Sequence, residues 1–249
     1  MSSDSSPLAS SAWGLARNFA VDTILYPFEV IKIHQQKPGN QEKSHHTAVR
    51  LFKENGYSGF YDGFRQEVGK TFLKAFSWPL VIGMPSLLER WSLGPLTQQA
   101  VTGLLIGTAS TVVSTPLEQR RIGSIAKENK AYSIFQGIVP HWAKLTTSWM
   151  VFLVAQKDLR SRYLAHTGQE KLTVRQLAAV GTGVALFVSI AAAPFDVAST
   201  RKMGHNQKMV FLKEAPSTLL RGLPLSAFIR VVNSVASVIL IDWLNRKKL

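Results

Sequence analysis

Three short runs combine a helix-bending residue with opposite charges: Pro27-Phe28-Glu29-Val30-Ile31-Lys32, Pro116-Leu117-Glu118-Gln119-Arg120-Arg121 and Pro194-Phe195-Asp196-Val197-Ala198-Ser199. The acid follows the proline by two residues and the base follows the acid by three, with Ser199 standing where the third base would be. Side chains three apart share a helix face, so on a ring of three such helices each acid can meet the base of its neighbour. Proline inside a helical span removes one backbone hydrogen bond and bends the helix. The chemistry on offer is therefore reversible ion pairing at bent helix ends. Signals for catalysis are poor. His45-His46 lacks further ligand partners, and Gly181-Thr182-Gly183 lacks the third glycine and the preceding strand of a dinucleotide loop. The chain also has no cysteine, which excludes disulfides and thiolate metal sites. The expectation is a non-enzyme with no cofactor and no metal.

The elements that must hold these charges recur with them. Upstream of each proline stand a glycine (Gly14, Gly103, Gly181) and, one helical turn later, a small or polar residue (Asn18, Gly107, Ala185). Such small-xxx-small ridges let helix backbones approach closely inside a membrane. Downstream of each signature lie Tyr61-Asp62-Gly63, Phe135-Gln136-Gly137 and Leu220-Arg221-Gly222. One order kept in three copies means one structural unit used three times, each unable to bury its surface alone. We read six long helices, roughly 10–36, 65–91, 97–124, 138–163, 173–203 and 222–246. The stretch 174–195 approaches the about 20 apolar residues that span a hydrocarbon core. Other stretches, such as 100–117 and 223–243, are more polar, and mean hydropathy is only +0.06. Polar faces lining an aqueous cavity account for that value. The first linker carries an amphipathic segment from His46 to Glu54, expected to lie on the membrane surface. The second linker has room for a turn or two, and the third, with Pro216, is expected to be intermediate.

The 249 residues carry 29 Lys and Arg against 15 Asp and Glu, a net charge of +14. Nucleic acid is the common partner of so basic a chain, yet its motifs are absent and the bases form no tail. Many fall in the segments joining paired helices: Lys37, Lys43, Arg50 and Lys53; Lys127 and Lys130; Lys202, Lys208 and Lys213. That placement fits a positive-inside bias and anionic lipid headgroups, cardiolipin among them. The N-terminal run Met1-Ser2-Ser3-Asp4-Ser5-Ser6-Pro7 has no base before Arg17, unlike a cleavable targeting peptide.

In these features the chain resembles the mitochondrial carriers, whose repeats read Px(D/E)xx(K/R), a linker, then (D/E)Gxxxx(aromatic)(K/R)G. The resemblance runs roughly from Trp13 to Trp243, and the motifs are eroded. The first second-half motif, Asn55-Gly56-Tyr57-Ser58-Gly59-Phe60-Tyr61-Asp62-Gly63, has Asn for the acid and Asp for the base. The second copy has Asn129-Lys130 for the acid-glycine pair, and the third has Leu220 for the aromatic. The chain is thus similar to a divergent member. The resemblance implies an all-α membrane protein of six transmembrane helices in three pseudosymmetric repeats, approximately 10–92, 97–163 and 173–246, forming a single domain over 1–249. It implies a monomer of the mitochondrial inner membrane with internal targeting information.

Carried over position by position, the resemblance implies a matrix gate of Glu29, Lys32, Gln36, Glu118, Arg121 and Asp196 below the kinks at Pro27, Pro116 and Pro194. Glu29 is expected to meet Arg121, and Asp196 to meet Lys32. Glu118 is expected to face uncharged Ser199 and lose its bridge. Gln36 is expected to brace a bridge, a role that Ile125 and Met203 cannot fill. The opposite gate is expected to be weak, since of 83–86, 157–160 and 242–245 only the last two keep fragments of its motif. Substrate contacts in the family fall seven or eight residues past the motif glycine, which gives Lys70, Lys144 and Arg230, with Lys74 and Leu145 beside them. At ~1.5 Å rise per residue these lie ~10 Å into the membrane, where charges are costly unless they face a cavity. Three converging cations imply a small anion. Trp78, Trp142 and Trp149 are candidates to stack a planar ligand, although tryptophan at a membrane interface is commonly only an anchor. The expected function is exchange or import of a nucleotide or phosphorylated solute by alternating access. A carboxylate carrier and a non-transporting scaffold or adaptor are the alternatives.

Overall fold

A computed structural model of the chain describes residues 7–72, 88, 93–127, 133, 135–169, 172–206 and 216–247. No strand occurs among the described residues. Helix α1 (Pro7–Gln35) leads through a turn into α2 (Ser44–Asn55) and a 3-10 turn at Gly56–Tyr61. A helix α3 begins at residue 64 and is described to 72, with Leu88 helical beyond it. Then follow α4 (Pro95–Ala126), α5 (Ile138–Thr167), α6 (Val174–His205), the single turn α7 (Pro216–Leu219) and α8 (Leu223–Lys247). The predicted helices are present within a few residues at each described end. The amphipathic linker helix starts two residues earlier than expected and runs on into the 3-10 turn, which sequence reasoning missed. Lys74, Trp78, Lys130, Lys208, Lys213 and the segment 83–86 lie outside the described residues.

Local chemistry sets the helix ends. Pro95 occupies the first turn of α4, where its missing N–H costs nothing. The α6 start is a capping box, with Thr173 Oγ1 accepting from the Gln176 amide at 3.4 Å and Gln176 Oε1 accepting from the Thr173 amide at 2.7 Å. Lys127 and Asn206 close α4 and α6 in the left-handed conformation. Pro27, Pro116 and Pro194 sit inside α1, α4 and α6, so these helices continue beyond the bend and bring their charged ends together.

Pro95–Ala126, Val174–His205 and Ser217–Ile239 are long and apolar enough to cross a membrane. Helices α1 and α5, of 29 and 30 residues, are also long enough but carry more charge. Pairing within a repeat relies on small residues. A Cβ added at Gly103 would lie 2.6 Å from the Met150 backbone, and one at Gly107 2.6 Å from the Thr146 backbone. Helices α4 and α5 therefore touch main chain to main chain along the ridge predicted from sequence. Helix α5 also packs on α6, α6 on α8, and α8 returns to α1, so the last repeat meets the first.

A buried apolar cluster gathers at the C-terminal ends of the proline-containing helices. Tyr26, Val30, Ile31, Ile33, Leu51, Ile122, Ile125 and Met203 pack together, joined by Ala48, Phe60, Phe64 and Leu225. It ties α1, α2, α4 and α6 into one plug. Ile125 and Met203, at the positions equivalent to Gln36, are 0% and 1% exposed, so two of the three sites contribute hydrophobic packing in place of a polar brace.

Candidate functional site

Above the plug lies a cavity of about 500 Å³ whose walls come from α1, α3, α4, α5 and α8. Its acidic lining is Asp22, Glu29, Glu67 and Glu118, and its basic lining is Lys32, Lys70, Arg121, Lys144 and Arg230. Leu145, Trp149, Val113 and Ile229 give it an apolar side.

At the floor, Lys32 Nζ stands 3.3 Å from Asp196 Oδ2 and 2.8 Å from Glu29 Oε2. Arg121 Nη1 stands 3.9 Å from Glu29, a long contact, while Arg121 Nη2 is 2.7 Å from Glu118 on its own helix. The two interhelical pairs that the resemblance implied are thus brought together, Glu29–Arg121 at the edge of ion-pair range. Gln36 Nε2 donates to Asp196 Oδ2 at 3.0 Å and to the Arg221 carbonyl at 3.2 Å, and its Oε1 accepts from Thr200 at 2.8 Å. Every polar atom of the Gln36 amide thus serves to hold α6 and the start of α8 against α1.

Glu118 does not lose its bridge. Ser199 is buried and donates to Met203 Sδ at 3.7 Å, and Glu118 takes its charge partners elsewhere. Lys70 Nζ reaches Glu118 Oε2 at 2.5 Å and Lys144 Nζ approaches Glu118 Oε1 at 3.8 Å. The reason is geometric: both lysines descend from the starts of the neighbouring helices α3 and α5, close enough to fill the electrostatic vacancy left by Ser199. Lys144 binds Asp196 Oδ1 more tightly, at 2.6 Å. The lysines assigned to substrate are therefore held by gate acids.

Glu67 escaped notice in the sequence. It lies 2.7 Å from Lys70, one turn along α3, and 2.9 Å from Arg121 on α4. Its signal was the Glu-x-x-Lys spacing directly after Gly63. His141 was missed as well; it is buried in the cavity wall with Nε2 3.1 Å from Ser114 Oγ. Only its position three residues before Lys144 could have pointed to it. Asp22 lines the cavity and accepts from Thr71 Oγ1 at 2.8 Å.

Arg230 differs from the lysines. Its recorded hydrogen bond is a long one, Nη2 to Ser148 Oγ at 3.5 Å, and among the described residues it has no carboxylate in ion-pair contact. Of the tryptophans, Trp149 lines the cavity. Trp142 is 40% exposed and donates Nε1 to Thr108 at 3.0 Å on the outside of the α4–α5 pair, so it is not available to stack a cavity ligand. At the opposite end, Asp158 pairs with Arg162 on the same helix at 2.9 Å, and Lys157 and Arg160 border a surface groove. No ion pair joins two helices there among the described residues, and residues 242–245 are described as helical backbone alone.

Motif glycines seat α3, α5 and α8 on the gate. Gly222 adopts φ +76°, and a Cβ there would stand 2.8 Å from Lys32 Cγ. Gly63 lies against Arg121, the equivalent of Lys32, and Gly137 against Met203, the equivalent of Gln36, so all three motif glycines seat on the ends of the proline-containing helices. No curated protein matches the chain. Residues 3–81 match the family model described as mitochondrial carrier protein. Its signatures, repeated along the chain on helices that meet over one cavity, carry the likeness to mitochondrial carrier proteins beyond the matched residues.

Proposed function

We propose that the chain carries a small anionic metabolite across the mitochondrial inner membrane by alternating access, as a monomer in contact with anionic lipid such as cardiolipin. The observation that carries this reading is the cavity of about 500 Å³ with Lys70, Lys144 and Arg230 on its wall and ion pairs across its floor. A buried ion pair contributes little net stability, because desolvation offsets attraction, and that suits contacts which must break in each cycle. The ligand drives opening only through its higher affinity for the state on the path. A scaffold has no need of such a cavity.

Two anion classes arise from the sequence. A nucleotide or other phosphorylated solute brings several negative charges and needs several uncommitted cations. Lys70 and Lys144 are committed to carboxylates, so the balance of charge favours a carboxylate. The test is uptake into liposomes by the purified chain, alongside ligand-induced thermal stabilisation, across nucleotides, phosphates and carboxylates. Folded protein that responds to none of them refutes transport of an anion.

A further inference from the structure

The cavity's charges are distributed unevenly, and that distribution speaks to the substrate. Four of the five lining cations are engaged by acids. Lys32 meets Glu29 and Asp196, Arg121 meets Glu118 and Glu67, Lys70 meets Glu67 and Glu118, and Lys144 meets Asp196. A ligand that drew Lys70 or Lys144 away would leave a buried carboxylate short of its partner, and would bring its own negative charge beside that carboxylate. Arg230 imposes neither penalty. It gives up one long bond to the Ser148 hydroxyl, which water or a ligand oxygen can replace. Its guanidinium presents a planar fork matched to a carboxylate.

The same cavity has an apolar face, with Ser226 and Asn233 as polar neighbours of Arg230 along α8. Trp149 follows Ser148 directly in α5 and faces the same cavity, as do Leu145 and Val113. Indole and aliphatic surface in a cavity recognises an apolar or planar body by burial and stacking. Among the described residues, polyphosphate or a second carboxylate finds no further uncommitted cation in the lining.

We infer that the substrate is a monocarboxylate with an apolar or planar body, of the kind represented by a branched-chain or aromatic 2-oxo acid. Its carboxylate sits on Arg230 and its body lies against Trp149. This rests on the transport reading and narrows it. The floor pairs stay intact at the moment of binding, so the ligand is recognised above the gate.

The test uses the full chain, in detergent for thermal stabilisation and in liposomes for uptake. The probes are 4-methyl-2-oxopentanoate and phenylpyruvate, set against ADP, inorganic phosphate, citrate, leucine and phenylalanine. The expected result is stabilisation and uptake with the two oxo acids alone. Arg230→Gln is expected to weaken their binding at least about tenfold, the equivalent of one charge-assisted hydrogen bond, with Arg230→Lys recovering part of it. Trp149→Leu is expected to affect phenylpyruvate more than 4-methyl-2-oxopentanoate. If Arg230→Gln fails to fold, Trp149→Leu and the wild-type panel still decide the matter. Uptake of ADP, phosphate or citrate in place of the oxo acids overturns the inference and leaves anion transport standing. Preference for leucine or phenylalanine overturns it in favour of a zwitterion. Silence toward every anion overturns transport of an anion as well.

Discussion

Asp196→Asn probes the most connected point of the floor. The residue is 3% exposed, and its carboxylate receives Lys144 at 2.6 Å, Gln36 at 3.0 Å and Lys32 at 3.3 Å. Asparagine keeps the shape and an acceptor for Gln36 but removes the charge that compensates two cations. Breaking a buried pair from one side costs about 3–5 kcal/mol, because the remaining charge is left desolvated. Here Lys32 retains Glu29 at 2.8 Å, and the Lys144 side chain is 14% exposed and opens onto the cavity. Both escapes place the expected loss at the lower end, about 3 kcal/mol. For a chain of this length that corresponds to about 6–12 °C in Tm, at about 2–4 °C per kcal/mol. The assay is thermal unfolding of the purified protein, extended to a double-mutant cycle with Lys144→Met. Removing both partners spares the orphaned charge, so the double variant is expected to recover about half of the single loss, with a coupling energy above about 1 kcal/mol. A single loss below about 1 kcal/mol, or strictly additive effects, refutes the placement of Lys144 as the partner of Asp196.

Arg121→Gln strips cationic charge from Glu118, Glu67 and Glu29 together, and about 3–5 kcal/mol of stability is expected to go with it in the same unfolding assay. Gly222→Ala combines a left-handed backbone with a Cβ 2.8 Å from Lys32 Cγ; a loss of about 1–3 kcal/mol is expected, and a neutral result rules out this seat for α8. Gly107→Val thrusts a side chain into the Thr146 backbone, so α4 and α5 must separate; the expected outcome is loss of folded protein on size-exclusion chromatography, while Gly123→Ala, with open space around its Cβ, stays folded. Ile125→Gln introduces an amide into the plug at a fully buried position and is expected to cost about 1–3 kcal/mol unless a partner is found, read by thermal unfolding.

Much of the architecture was legible in one dimension because it rests on periodic and local causes. Proline bends a helix wherever it falls inside one, a glycine ridge permits close approach along its own face, and acid and base three apart share a side. Pro27, Pro116 and Pro194 and the Gly103–Gly107 ridge follow from such causes, whereas the Lys32–Asp196 pair was expected from the family resemblance. The partners of Glu118 follow from neither. With Ser199 in the third signature, the choice among Lys70, Lys144 and Arg121 depends on how deep each neighbouring helix sets its first turns, and that is decided by packing on glycines such as Gly63 and by the apolar plug beneath. Glu67 entered the site for the same reason: an intrahelical pair with Lys70 reads in sequence as a solvated face, and only the approach of α4 brings Arg121 within 2.9 Å. Spacing along the chain thus determined which groups carry charge and where helices bend, whereas the assignment of each charge to its counter-ion, and so the distinction of Arg230 from the two lysines, was decided by distances between helices. Coulomb energy in a low-dielectric interior depends steeply on those distances.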